Sequence, residues 1–100
     1  MTLRIVPPAE AELTEGILYY EAQRPGLGVE FAREVKAAIR QIVQFPNAWQ
    51  VVAQDARSCR TKRFPYQIIY LARGETIHIL AIIHAQRHPR RWQDRLRELE

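Results

Sequence analysis

Six cations bracket two β-branched runs: Arg60, Lys62 and Arg63 precede a turn at Pro65, and Arg87, Arg90 and Arg91 follow the second run. Together they pool a positive field suited to an anionic partner, either nucleic acid or an acidic protein surface. The competing reading is a solvated basic face with no partner. His84, at the end of the second run, could serve as an acid–base or contact group, or pack as a half-exposed structural histidine. His78 reads as structural. Three histidines without Cys or carboxylate partners at ligand spacing make no zinc site, so neither metal nor cofactor is expected. There is no Gly-rich phosphate loop, no G-x-S-x-G and no paired-carboxylate pattern, which leaves nucleotide hydrolysis and acyl transfer without support. Tyr19, Tyr20, Tyr66, Trp49 and Trp92 read as core or interface aromatics.

The charge is unevenly placed. The chain carries +4 over 100 residues, but residues 1–50 hold five Lys or Arg against six Asp or Glu, while residues 51–100 hold ten against five. The basic excess therefore belongs to the strands and tail. A length of 100 residues fits one domain, 1–100, with a single core. With 47% hydrophobic and 26% charged residues the composition is that of an ordered globular protein. No apolar run approaches the roughly 20 residues of a membrane span, and the N-terminus lacks signal-peptide zones. The lone Cys59 cannot form an internal disulfide, so a reducing, cytoplasmic setting is expected.

The elements follow from periodicity. Thr2-Leu3-Arg4-Ile5-Val6 alternates as a short strand, ended by Pro7-Pro8. A helix over about 8–23 carries Ala9, Leu13, Ile17 and Tyr20 as one stripe, with Glu10 and Glu12 near the positive end of its dipole. Gly16 inside it marks close packing against a neighbour. After a turn at Pro25-Gly26, Phe31, Val35, Ala38, Ile39 and Ile42 fall at helical spacing until Phe45-Pro46, giving an antiparallel helical hairpin. Val51-Val52-Ala53 reads as either a short strand or a loop. Residues 57–63 form a basic strand expected at a sheet edge, where Lys and Arg discourage aggregation. Strands over 66–72 and 76–84 then flank Gly74.

A two-residue loop at Gly74 places Tyr66, Ile68 and Tyr70 with Ile77, Ile79, Ala81 and Ile83 beneath the helical hairpin. The opposite face would hold Gln67, Ile69, Leu71, His78, Leu80, Ile82 and His84. That surface is too apolar to stay bare. A tail helix opened by Pro89, with Trp92, Leu96 and Leu99 as its stripe, can cover it. The fold expected is α+β, β-α-α-β-β-β with a terminal helix, an antiparallel sheet packed under an N-terminal helical hairpin.

Several stretches, in this order, resemble the RelE/ParE toxin superfamily, and its ParE branch most: Tyr19-Tyr20-Glu21-Ala22-Gln23-Arg24-Pro25-Gly26-Leu27-Gly28, Phe45-Pro46, Arg63-Phe64-Pro65-Tyr66 and His84-Ala85-Gln86-Arg87-His88-Pro89-Arg90-Arg91-Trp92. The resemblance spans about residues 3–96. It implies the toxin of a type II toxin-antitoxin operon, of the plasmid-stabilising kind, held inactive in a hetero-oligomer with a ParD-like antitoxin. ParE-like members resemble proteins that poison DNA gyrase, whereas RelE-like members cut mRNA on the ribosome, and the shared fold does not choose between them.

For the nuclease alternative the resemblance offers Lys62, Arg63, His84 and Arg87, with cations for phosphate charge and a group to activate a 2′-oxygen. Against it, Gln67 and Ile69 stand on the middle strand where nuclease members carry Arg, and Trp92 lies in an apolar stripe where a catalytic Tyr or His is often found. A third alternative is a non-toxic member that only binds its antitoxin. The target-binding set expected is Arg60, Lys62, Arg63, Arg87, Arg90 and Arg91. An acidic amphipathic antitoxin helix is expected along the helical hairpin and adjoining sheet edge, on Leu13, Ile17, Tyr20, Phe31 and Arg63.

Overall fold

A computed structural model describes residues 1–86 and 90–99, with the side chains of Arg90 and Arg91 outside the description. Strand β1 (Thr2–Ile5) leads into helices α1 (Pro7–Gln23) and α2 (Leu27–Gln44). Strands β2 (Gln50–Ala53), β3 (Ala56–Arg60), β4 (Tyr66–Arg73) and β5 (Thr76–His84) follow, and α3 (Arg90–Glu98) closes the chain. The five strands form one sheet in the order β1-β5-β4-β3-β2. β2 to β5 pair antiparallel as expected, and β1 joins β5 in parallel, from Thr2↔Thr76 to Ile5↔Ile79.

The α2 stripe does what its spacing requires. Phe31, Val35, Ile39 and Ile42 are all buried against the sheet, each such side chain contributing roughly 1.5–3 kcal/mol of apolar transfer. The two helices approach closely because two positions lack a side chain. A Cβ on Gly16 would lie 2.6 Å from the Phe31 ring, and one on Gly28 would lie 2.6 Å from the Ile17 carbonyl oxygen. The hairpin turn is fastened by Glu21, whose carboxylate accepts the N–H groups of Gly26 and Gly28.

The parallel β1 makes the sheet mixed where an antiparallel one was expected, and two further details differ from the sequence expectation. The basic strand β3 is interior, lying between β4 and β2, because Val51-Val52-Ala53 does form a strand and takes the edge itself. A tight turn with Gln54 at φ 49° folds β2 back onto β3. The second difference concerns the faces of β5. The Gly74-Glu75 loop has the two residues expected, and Ile68 and Tyr70 share the helix side with Ile77 and Ile79. Then the register shifts, with Tyr70 opposite Ile79 but Ile69 opposite Ala81. Leu80 is the extra residue of a β-bulge, which reverses the facing of everything after it. Ile82 turns to the helix side, whereas Ala81 and Ile83 join Ile69, Leu71 and Leu80 on the other face.

That second face is covered as expected by α3, whose Trp92 and Leu96 are each 3% exposed. The Pro89 expected to open this helix lies outside the described residues.

Among the described residues, no helix is long and apolar enough to cross a membrane.

Candidate functional site

The β3–β4 connection carries Lys62 and Arg63, and its shape is fixed from within and from α2. Thr61 donates its hydroxyl to the Phe64 and Tyr66 carbonyl oxygens. Glu34 accepts the backbone N–H groups of Arg63 (3.0 Å) and Phe64 (3.1 Å). Two helix turns of acidic residues thus hold the loop, since Glu30 also binds the Arg63 guanidinium at 3.0 Å and that of Arg24 at 2.9 Å. Hydrogen bonds from Arg63 and then Arg24 hold the Glu30 carboxyl below the ordinary carboxylate range.

Arg60 and Lys62 are exposed, and neither makes an ion pair among the described residues. Of the expected target-binding cations, these two keep their full charge for a partner, while Arg63 is half spent on Glu30. Arg87 lies outside the described residues, and Arg90 and Arg91 begin α3.

Arg60, Lys62 and Arg63 border a groove of about 520 Å³ between α2 and β3. Its walls also include Arg33, Ala37, Ala38 and Trp49. Trp49 is half-buried and tied down by its neighbours. Arg57 donates to the Trp49 carbonyl oxygen at 2.7 Å, and the Tyr70 hydroxyl donates to that of Pro46. Cys59, also on the wall, is inert: burial pushes its thiol above the ordinary value and disfavours the thiolate.

His84 opens into a different groove, of about 600 Å³, between α1 and β5, walled also by Glu12, Glu15, Tyr19 and Tyr66. Its ring packs edge-on to Tyr66 at 5.7 Å, and its Nδ1 accepts the Gln86 N–H at 3.2 Å. Lys62 and Arg63 line the α2–β3 groove and His84 the α1–β5 groove, although the strand end that carries His84 reaches the β3–β4 connection, where the Ala85 N–H donates to the Pro65 carbonyl oxygen at 2.7 Å.

The expected antitoxin contacts fare differently from one another. Leu13 and Ile17 are half-buried, Arg63 is exposed, and Tyr20 and Phe31 belong to the core. Phe31 is 0% exposed and, with Tyr20, Phe64 and Tyr66, builds an aromatic cluster with centroids 4.7–6.1 Å apart. Of the five, Tyr20 and Phe31 pack into this chain's own core.

One ion pair escaped the sequence reading. Arg95 of α3 clasps Glu12 of α1 in a two-pronged ion pair, 2.8 and 2.9 Å, with side chains 17% and 10% exposed. The pair sits where β1 has ended and the β5 edge stands open. Arg95 donates to the Leu80 carbonyl oxygen (2.8 Å), and the Ile82 N–H donates to Glu12 Oε1 (3.1 Å). Backbone groups of β5 left without a strand partner past the end of β1 are thereby satisfied.

A five-stranded sheet roofed by a helical hairpin, closed beneath by a short helix and bordered by a cation-rimmed groove, defines a small α+β protein. The ParE toxin of type II toxin-antitoxin systems, parDE, is the family whose model matches residues 3–89. The chain belongs to that family. In solved structures, a chain of the "Chromosomal ParDE TA system from P. aeruginosa" is similar with a TM-score of 0.75 at 19% identity, over 84% of this chain and 95% of that one. No curated protein matches.

Proposed function

We propose that this ParE-family toxin acts on DNA gyrase by binding it, without chemistry of its own, and is neutralised by an acidic ParD-like antitoxin with which it forms a hetero-oligomer. The covered sheet face is the observation that carries this reading. A ribosome-dependent nuclease of this fold would use that face, but here Trp92 and Leu96 pack onto it and Ile69 is buried there. Gln67, at a position where nuclease relatives carry Arg, is engaged with the Ser58 hydroxyl at 2.9 Å. Gyrase would meet the cations Arg60, Lys62 and Arg63, joined by Arg87, Arg90 and Arg91, through a pooled field more than through any single bond.

Expression of the chain alone in bacteria tests the proposal. Filamentation with double-strand DNA breaks is the expected phenotype. Rapid loss of translation with cleaved mRNA would replace gyrase by the ribosome, and unimpaired growth would leave only an antitoxin-binding protein.

A further inference from the structure

We infer that one corner of the sheet on its α3 side, carrying Arg4, Arg73 and His78, is a seat for the phosphodiester backbone of duplex DNA, distinct from the cations of the β3–β4 connection. This rests on the gyrase reading for its setting, a target that itself holds DNA. The corner is assembled by strand register. Arg4 of β1 stands beside His78 of β5, and His78 stands beside Leu71 of β4, which belongs to the α3 side. Arg73, two residues beyond Leu71, returns to the same face beside Thr76, and Thr2 flanks Thr76 from β1. Two interstrand spacings of about 4.8 Å separate the strands of Arg4 and Arg73, so two long side chains meet around the His78 between them. The end of α3 borders the corner, where the Arg73 guanidinium donates to the Leu99 carbonyl oxygen at 3.0 Å.

The charge at this corner is unspent. Arg4 and Arg73 are exposed, and neither makes an ion pair among the described residues. Glu75 of the β4–β5 loop and Glu98 of α3 are exposed as well and pair with neither arginine. Burial first, then Arg4 and Arg73, hold the His78 imidazole below its ordinary range, which leaves it neutral at pH 7 with one ring N–H to donate. Two like charges gathered without a counter-ion favour an anion that neutralises both. The rest of the corner selects the kind of anion. Thr2 and Thr76 add hydroxyl donors, and none of these residues lines either groove described above. An acidic protein helix needs apolar anchors. Leu3, the exposed apolar residue of β1, alternates to the other face beside Ile77. Backbone phosphates need only cations and hydrogen-bond donors on an open surface.

The test measures binding of the intact chain to a fluorescein-labelled duplex of about 20 base pairs, by anisotropy at several salt concentrations. Arg4→Gln and Lys36→Gln each remove one charge from an exposed residue, but Lys36 lies on α2, across the sheet from the corner. Arg4→Gln is expected to weaken binding fivefold or more and to lower the salt slope by about one, and Lys36→Gln to weaken it less than twofold. Arg73→Gln should act as Arg4→Gln does, whereas Arg73→Lys, which keeps the charge, should stay within threefold of the wild type. That pair separates lost charge from any loosening of α3. Equal losses for Arg4→Gln and Lys36→Gln, or for Arg73→Gln and Arg73→Lys, would overturn the assignment. So would a poly-Glu peptide of matched charge that binds more tightly than the duplex and depends on Arg4, because the corner would then be a protein contact. The two readings fail separately. A harmless chain that binds duplex through Arg4 and Arg73 defeats the gyrase reading alone, and a chain that causes filamentation with DNA breaks while Arg4→Gln binds duplex normally defeats the corner alone.

Discussion

Replacing Glu12 by Ala removes the one carboxylate that serves both α3 and the open edge of β5. Arg95, 17% exposed, would lose its counter-ion, and the Ile82 N–H would lose its acceptor. Deleting one member of a fully buried ion pair costs about 3–5 kcal/mol, and stranding a buried N–H costs about 1–3 kcal/mol. Some water reaches this pair, so a total of about 2–4 kcal/mol is expected, a large share of the roughly 5–15 kcal/mol that holds such a domain. At roughly 4–8 °C per kcal/mol for a chain of this size, Tm should fall by about 10–25 °C. Urea unfolding of the wild type, Glu12→Ala, Arg95→Ala and the double variant gives the coupling, expected at about 1 kcal/mol or more. Glu12→Leu with Arg95→Met should recover only part of the loss, because an apolar pair leaves no stranded charge but still deprives the Ile82 N–H and the Leu80 carbonyl oxygen of their partners. A Glu12→Ala cost under about 0.5 kcal/mol, or a coupling of zero, would refute the clasp as a structural element.

Other outcomes follow from the same geometry. Gly28→Ala should destabilise by about 1–3 kcal/mol, and by more than Gly16→Ala, since its new methyl meets backbone and not a ring that can tilt. Glu34→Ala should free the β3–β4 loop, seen as several-fold faster tryptic cleavage after Lys62 and Arg63 with little change in the core. Trp92→Ala should cost about 3–5 kcal/mol by opening the lower layer, measured by urea unfolding. For pH, burial first and then Arg4 and Arg73 push the His78 imidazole below its ordinary 6.5. A folded pKa below the unfolded one means that His78's contribution is full above pH 6.5 and is lost as pH falls through the folded value. His78→Thr should therefore flatten the stability profile below pH 6.5, and an unchanged profile would contradict this.

The sequence was most legible where one period governed a long stretch. Phe31 to Ile42 keeps a helical spacing through α2, and the buried stripe is the one that spacing picks out. The same periodicity says nothing about what the stripe faces, which is why Tyr20 and Phe31 could pass for partner anchors while packing on their own sheet. β5 defeated parity for the opposite reason. From Ile77 to Ile83 nearly every residue is apolar except His78, so no alternation marks the extra residue at Leu80. Glu12 looked like an ordinary dipole-matching residue of α1, because its partner lies 83 positions away and the need for it arises only where β1 ends and leaves the β5 edge open. The basic residues of β3 suggested an edge, but Arg57 is turned to hold the Trp49 loop and Val51-Val52 shields the strand outside it. The paired glycines of the helical hairpin were only half visible. Gly16 stood out inside a helix, whereas nothing in the sequence singled out Gly28.

The parallel pairing of β1 with β5 also bears on the order in which the molecule assembles. The α1–α2 and β4–β5 hairpins close over short loops, while Thr2 must find Thr76 across most of the chain, at an entropic cost that grows by about 0.6 kcal/mol per doubling of the loop. Local hairpins can therefore form first, with β1 docking late and departing early. Leu3 stays 41% exposed even after docking, so this strand brings little burial to repay its long search. Native-state hydrogen exchange should accordingly find the first five residues exchanging well before the β4–β5 ribbon.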